Sequence, residues 1–268
     1  MTSIAPRPPE PARTPASGTR CANCDAVLDG AWCSRCGQKR SSLDPTWYDL
    51  LHDGTHEFLH LDGKIFRTAR KLFFEPGELT AEFLRGRRAR YIGALRLYLT
   101  FSVIFFLLTG IVPNPNPDRE VGSGAPAAAR ELAPDRYVAE TLASVLPKLV
   151  FILVPMFALL LKLAYRRQRR HYPQFLYFAL HFHAAVFGFL ALTVPLQALP
   201  SEVWLKAAQA CVLAGAFAYL VVALKRVFGG SAQQTLLRAL AVSVSYLAVL
   251  ITATACLILV LLQRASDH

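Results

Sequence analysis

Four cysteines near the start of the chain have the spacing of a metal site. Cys21, Cys24, Cys33 and Cys36 form two C-x-x-C pairs in the segment CANCDAVLDGAWCSRCGQK. Each C-x-x-C turn directs two sulfurs at one ion, and four thiolates are a usual ligand set for structural Zn²⁺. Because four sulfurs leave no open position for water, the pattern favours a structural zinc over a catalytic one.

The residues beside the cysteines fit two matching turns. Gly37 follows the second pair and Asp25 follows the first, where a positive φ is expected; glycine adopts it freely and Asp tolerates it. Trp32 is the large apolar side chain available to cover the site. Two disulfides or a redox dithiol are the alternatives. A cytoplasmic location argues against disulfides, and no thioredoxin-like strand-helix pattern surrounds either pair.

Most of the remaining chain is apolar enough to lie in a lipid bilayer. The protein has 268 residues, of which 54% are hydrophobic, and a hydrocarbon core of about 30 Å needs roughly 20 apolar residues per helix. We therefore predict an all-α, polytopic transmembrane helix bundle of about five spans over residues 93–262. The spans are expected at 93–112, 147–165, 174–196, 203–224 and 239–262, with an extracytoplasmic loop at 113–146.

Three segments precede the predicted spans. Residues 1–20 are proline-rich and polar, which predicts a disordered tail. Residues 21–40 form the predicted zinc ribbon, and residues 43–92 hold three short helical patterns, at 46–61, 63–77 and 78–90. We expect these to be cytoplasmic amphipathic helices in the headgroup layer. The stripe predicted for the second pattern consists of Ile65, Phe66, Ala69, Leu72 and Phe73.

Basic residues are concentrated beside the spans. The net charge is +11, and the cluster Arg85, Arg87, Arg88 and Arg90 directly precedes the first span. Basic loops next to spans are typical of the cytoplasmic side and of contact with anionic lipid or a protein partner. We therefore expect no nucleic-acid partner. The three Arg-rich segments, 85–96, 166–173 and 225–238, fall on one side of a five-span bundle, which predicts a cytoplasmic N-terminus and an extracytoplasmic C-terminus.

Histidines form two further candidate groups. His52, His56 and His60 recur every four residues, and with Asp49 they form a polar face that can bind metal or be simply solvated. The three histidines spread by about 80°, so one ion does not easily meet all three. His181 and His183 lie within the third predicted span and point to nearly opposite sides. Interhelical hydrogen bonding is favoured over proton transfer for this pair.

The segment that joins the ribbon to the first span has a family resemblance. The stretches CANCDAVLDGAWCSRCGQKR, HEFLHLDGKIFRTARKLFFEPGELTAEFLRGRRARY and LRLYLTFSVIFFLL resemble an uncharacterised bacterial membrane family, a domain of unknown function. That family has a C-x-x-C…C-x-x-C-G-Q ribbon, a D-x-x-x-x-x-T-x-x-x-L-x-x-P-G stretch and a G-x-R-x-x-Y motif. The matching residues are Asp62, Thr68, Leu72, Pro76, Gly77, Gly86, Arg88 and Tyr91. The likeness covers about residues 20–110, and the proline expected shortly after the tyrosine is absent. The resemblance implies a bacterial inner-membrane protein and carries no activity with it.

Three functions are compatible with these features. The first is a membrane scaffold or sensor whose zinc ribbon and basic helices engage a cytoplasmic protein partner or anionic lipid. The second is a small transporter or channel, for which five spans are few and no inverted repeat is visible. The third is a membrane enzyme that acts on a lipid at the cytoplasmic interface. The sequence contains no Ser-His-Asp order, phosphate-binding glycine loop or paired intramembrane carboxylates, so a non-enzymatic role is favoured. A homo-oligomer stays open.

Overall fold

The computed structural model describes residues 20–40, 64–111, 151–198 and 202–266. These residues form an all-helical bundle preceded by a small ribbon. The helices are α1 (Lys64–Phe74), α2 (Glu78–Leu84), α3 (Ala94–Ile111), α4 (described over Phe151–Ala164), α5 (Tyr172–Thr193), α6 (Glu202–Phe228) and α7 (Ala232–Ser266). A short 3-10 helix, Pro195–Ala198, follows α5. The predicted tail, the helical pattern at 46–61 and the loop at 113–146 lie outside the described residues.

Four described helices are long and apolar enough to cross a membrane. They are α3, α5, most of α6 (Val203–Phe228) and most of α7 (Ala232–Val260). The described part of α4 is apolar but shorter, and the beginning of the predicted span 147–165 lies outside the described residues. The prediction of an all-α, polytopic transmembrane bundle is confirmed, with four full candidate spans and one shorter apolar helix.

Helix α5 occupies the centre of the bundle. In its candidate span 67% of the residues are buried, against 6% in α7. Aromatic rings account for much of this packing: Phe182 stacks on Phe157 of α4 at 5.3 Å, and Phe175 stacks on Phe228 of α6 at 5.1 Å. Helix α7 packs against the bundle only through its first half, where Ala239 and other residues are buried. Among the described residues, its second half has no buried residue and is mostly exposed.

Helices α1 and α2 are packed into the bundle. Five of the seven α2 residues are buried, in the run Leu79, Thr80, Ala81, Glu82 and Phe83. In α1 the buried residues are Thr68 and Leu72, whereas Ile65 and Phe66 are 36% and 78% exposed. The first two residues of the predicted apolar stripe are thus not packed against the described bundle. The helix turns its Thr68–Leu72 side inward because that side is held by hydrogen bonds from other elements.

The basic segments meet at one end of the bundle. Gln168 donates to the carbonyl of Phe228 at 2.8 Å, and Arg226 donates to the carbonyl of Pro76 at 2.8 Å. Arg170 also donates to the carbonyl of Val227, at 3.3 Å. The loops after α1, α4 and α6 are thus adjacent, as a common side requires. That this side is cytoplasmic stays a prediction.

Candidate metal centre and its attachment to the bundle

The four cysteine sulfurs form a compact cluster. All four Sγ atoms lie within 4.8 Å of one another, with Cys21–Cys36 at 3.6 Å and Cys24–Cys33 at 3.5 Å. A disulfide would bring two sulfurs to about 2.0 Å, and all four cysteines are free. Tetrahedral coordination at about 2.3 Å per Zn–S bond places sulfurs about 3.8 Å apart. The cluster therefore has the size of a four-thiolate metal site.

Two equivalent turns build the cluster. The amide of Asp25 donates to the carbonyl of Cys21, and the amide of Gly37 donates to the carbonyl of Cys33, both at 2.9 Å. Asp25 has φ 59° and Gly37 has φ 71°, which agrees with the sequence prediction for both positions. Each turn is closed by an isolated antiparallel bridge, Arg20 to Val27 and Trp32 to Lys39. The ribbon is therefore two copies of one turn facing each other across the sulfurs.

The thiols have strongly divided proton affinities. The backbone N–H of Cys36, a hydrogen-bond donor, lowers the pKa of Cys33 to about 7, against desolvation. For Cys24 the N–H of Ala26 lowers the pKa, but desolvation and the three neighbouring thiols outweigh it and raise the pKa to about 12. Desolvation also raises the pKa of Cys21. The thiolate form is thus favoured at Cys33, and a bound cation would favour it at Cys21 and Cys24 as well.

The interior of the ribbon contains little besides the cysteines. Leu28 is 5% exposed and packs with Cys21 and Cys33. Trp32, the expected cover, is instead 56% exposed and lies beneath the Lys39 ammonium at 5.9 Å from the ring centroid. The expectation for Trp32 was wrong because the smaller Leu28, in the loop between the turns, fills the space. So small a core is typical of ribbons that a bound metal stabilises.

Gln38 attaches the ribbon to the loop that precedes the first span. Its Nε2 donates to the carbonyl of Gly86 at 2.6 Å, and its Oε1 accepts from the amides of Arg88 at 3.1 Å and Ala89 at 3.0 Å. The side-chain amide therefore pairs with backbone groups much as a neighbouring strand would. We call this set of three bonds the Gln38 clasp.

A second contact supports the clasp from the first turn. The guanidinium of Arg90 donates to the carbonyl of Asn23 at 2.7 Å, and Asn23 is 4% exposed. Both turns of the ribbon are thereby joined to one short segment, residues 86–90. The sulfur cluster is therefore held at the basic end of the bundle.

The residues that carry the family resemblance position this same segment. The Oγ1 of Thr68 accepts a hydrogen bond from the amide of Ile92 at 3.2 Å and donates one to the carbonyl of Lys64 at 2.7 Å. Gly86 has φ 82° at the end of α2, and Tyr91 is buried beside Phe83. These contacts fix the chain where it enters the first span.

The other matched residues attach α1 to the spans. Tyr219 of α6 donates to the carbonyl of Leu72 at 2.6 Å, and Leu72 is fully buried. Gly77 has φ 78°, and a Cβ there would lie 2.8 Å from the Cα and carbonyl oxygen of Ala223. Only glycine satisfies both conditions at this crossing of backbones. Asp62 lies outside the described residues.

The arginine cluster makes contacts within the chain. Arg85 and Arg87 pair with the buried Glu82, at 3.0 and 3.3 Å, and the hydrogen bond to Glu82 raises the pKa of Arg85. The guanidinium of Arg88 lies 5.8 Å from the ring centroid of Tyr177, and Arg90 holds the ribbon. Whether these side chains also contact lipid or a partner stays a prediction.

The intramembrane histidines each bond to a different helix. Nδ1 of His181 is 3.0 Å from the Thr80 hydroxyl on α2, and Nε2 of His183 is 2.9 Å from the Tyr246 hydroxyl on α7. Both histidines are buried, on opposite sides of α5. Each of them therefore joins α5 to another helix. The other polar group, Asp49, His52, His56 and His60, lies outside the described residues, so its role stays a prediction.

Sequence reasoning gave no role to Gln38, Asn23 or Glu82. Gln38 is the last residue of the C-x-x-C-G-Q motif. A polar residue that directly follows a metal-binding turn is a feature from which its contact with the loop could have been predicted. Glu82 lies in the otherwise apolar stretch LTAEFL, three and five residues before Arg85 and Arg87. This arrangement suggests a buried carboxylate that is paired with arginine. Asn23 acts through its backbone carbonyl, and no side-chain pattern predicts that contact.

Comparison with known proteins adds one match. The matched region is residues 62–106, which contain α1, α2, the clasped loop and much of α3, so the ribbon lies outside it. No curated protein and no solved structure matches the chain. Over the segment that links the ribbon to the first span, the chain is similar to a family described as a protein of unknown function (DUF3667).

Proposed function

We propose that the protein is a scaffold of the bacterial inner membrane, whose zinc ribbon is a docking module for a cytoplasmic protein. The main support for this proposal is that a four-thiol site is attached to the transmembrane bundle through Gln38 and Arg90. A site with four sulfur ligands has no coordination position for substrate. Zinc would therefore act by folding the ribbon, and the ribbon's surface would carry the function.

The exposed surface of the ribbon supports a protein partner. Trp32 is 56% exposed although the ribbon has few apolar side chains to spare. Tryptophan is among the residues that contribute most binding energy at protein interfaces. Lys39 beside it adds positive charge, which favours a partner with an acidic surface. The clasp holds this surface at a fixed place relative to the membrane.

The first test concerns the metal. Protein purified from membranes without chelator should contain one zinc per chain by elemental analysis. The double variant Cys33→Ser with Cys36→Ser should contain none and should still insert into the membrane, because the spans satisfy their backbone hydrogen bonds internally. Wild-type protein without zinc would contradict the proposal. A double variant that fails to insert would show that the ribbon stabilises the transmembrane fold instead.

The second test concerns the partner. Cross-linked, affinity-purified wild-type protein should retain a partner that Trp32→Ala and the double cysteine variant both lose. Trp204→Ala is the matched control, because Trp204 is 72% exposed at the start of α6, away from the basic end. It should retain the partner. Equal recovery of that partner with Trp32→Ala would refute the docking role.

A further inference from the structure

A cavity of about 510 Å³ lies beside α6, apart from the ribbon. Phe73 and Phe189 form one wall, with their rings 5.4 Å apart in an edge-to-face contact. The other wall is the exposed side of α6, which includes Cys211, Gly215 and Ala218. Because α6 is a candidate membrane span, this side of the cavity opens toward lipid.

The shape of the cavity follows from small residues on α6. Cys211, Gly215 and Ala218 recur on one face of the helix, and a Cβ at Gly215 would meet no atom within 4 Å. Tyr219 also lines the cavity, but its hydroxyl donates a hydrogen bond to the carbonyl of Leu72 at 2.6 Å. The lining is therefore apolar and offers little to a polar solute.

The length of the cavity matches one half of a bilayer. Cys211 and Val222 mark its ends on α6, eleven residues apart, which corresponds to about 16 Å of helix. Half of the hydrocarbon core is about 15 Å. An acyl chain of one leaflet fits this depth, and the volume is within the range of about 300–1,000 Å³ typical of small-ligand sites.

Positive charge lies at one end of the cavity. Arg226 follows Val222 by one helical turn, donates to the carbonyl of Pro76 in the cavity wall, and lies 3.7 Å from Glu78. Its side chain is 38% exposed, and the neighbouring Lys225 is also exposed. The carboxylates near Arg226 are Glu78 and Glu75, and these also pair with Arg85 and Lys71. With Lys225, four cations therefore lie near two carboxylates, which suits an anionic headgroup at this end.

We propose that this cavity binds one acyl chain of an anionic phospholipid, with the phosphate on Arg226 and Lys225. The cavity is lined by α1, the loop after it, α5 and α6, so the assignment does not depend on the role of the ribbon. Small residues on a span also allow a second copy of the chain to pack there. The experiments below distinguish such a dimer from a bound lipid.

Native mass spectrometry of the detergent-solubilised full chain tests the site. Phosphatidylglycerol and phosphatidylcholine with identical chains are added separately. Wild-type protein should bind one phosphatidylglycerol in preference to phosphatidylcholine. Gly215→Phe fills the cavity and should weaken phosphatidylglycerol binding about tenfold or more. Gly110→Phe is the control, because Gly110 is likewise exposed on a span with no atom near its Cβ position. It should bind as wild type does.

Further variants make each outcome decisive. Ala218→Leu fills the same cavity with a smaller side chain and should act as Gly215→Phe does, should the latter fold poorly. Arg226→Gln should abolish the preference for phosphatidylglycerol, whereas Arg167→Gln, an exposed residue of a basic loop, should keep it. Equal binding by wild type and both cavity variants, or equal loss in Gly110→Phe, would overturn the proposal. So would a wild-type dimer that Gly215→Phe dissociates without any change in lipid binding.

Discussion

Replacement of Gln38 tests whether the ribbon is held on the bundle by the clasp. Gln38→Ala removes the donor to Gly86 and the acceptor for the amides of Arg88 and Ala89. Gln38→Met removes the same polar atoms but keeps the length of the side chain. The cysteines are untouched, so both variants should retain one metal ion per chain.

The expected magnitude follows from the three bonds of the clasp. Each partly buried hydrogen bond contributes about 1 kcal/mol, so their loss weakens ribbon docking by about 3 kcal/mol. Every 1.4 kcal/mol is a factor of ten, so the opened population should rise about 150-fold. Arg90 still holds Asn23, and for this reason docking weakens without being abolished.

Hydrogen–deuterium exchange measures this opening directly. In wild-type protein the amides of Arg88 and Ala89 should be protected, and in both variants they should exchange about 150-fold faster. Peptides from α5 should not change. Gln233→Ala, an exposed glutamine on α7, is the matched control and should behave as wild type. Unchanged exchange at residues 88 and 89 would refute the clasp. Rapid exchange in Gln38→Ala alone would assign the effect to packing.

Two further predictions concern the bundle. Gly77→Ala should lower the melting temperature in detergent more than Gly229→Ala does. Both glycines have similar positive φ, 78° and 68°, which costs about 1–2 kcal/mol for alanine, but only the Gly77 Cβ meets backbone. Equal losses would show that the contact with Ala223 is not tight. Phosphatase and fluorescent-protein fusions at His268 should show an extracytoplasmic C-terminus, because the basic loops share one end of a five-span bundle. A fluorescent C-terminal fusion would contradict five spans.

Local features of the chain could be predicted from the sequence, and long-range packing could not. The sulfur cluster and the positive φ of Asp25 and Gly37 follow from spacing and residue type within a few positions. The helical periodicity likewise placed His181 and His183 on opposite sides of α5. Which helix each would meet depends on the arrangement of the spans, and no pattern of residues along α5 encodes it.

The burial of five of the seven α2 residues was not indicated by the sequence. The pattern at 78–90 ends in a basic cluster, and for that reason it was expected to lie as an amphipathic helix in the headgroup layer. The structure buries Glu82 because Arg85 and Arg87 neutralise it at 3.0 and 3.3 Å, while Arg226 lies near Glu78. Arginines that were assigned to lipid or a partner thus also compensate charges inside the protein. Charge pairing between neighbouring turns converts an amphipathic pattern into a buried helix.

The contacts also separate what depends on the metal from what does not. The ribbon meets the bundle through Gln38 and Arg90, whose partners are the loop at 86–90 and the backbone of Asn23. The chain just after this loop is fixed independently by Thr68 at the amide of Ile92, and α1 is fixed by Tyr219 at Leu72. These last two contacts involve no ribbon residue. Metal loss should therefore unfold the ribbon and release residues 86–90, while α1 and α2 stay packed against the spans. The metal would then govern the presentation of the ribbon surface without governing the stability of its membrane base.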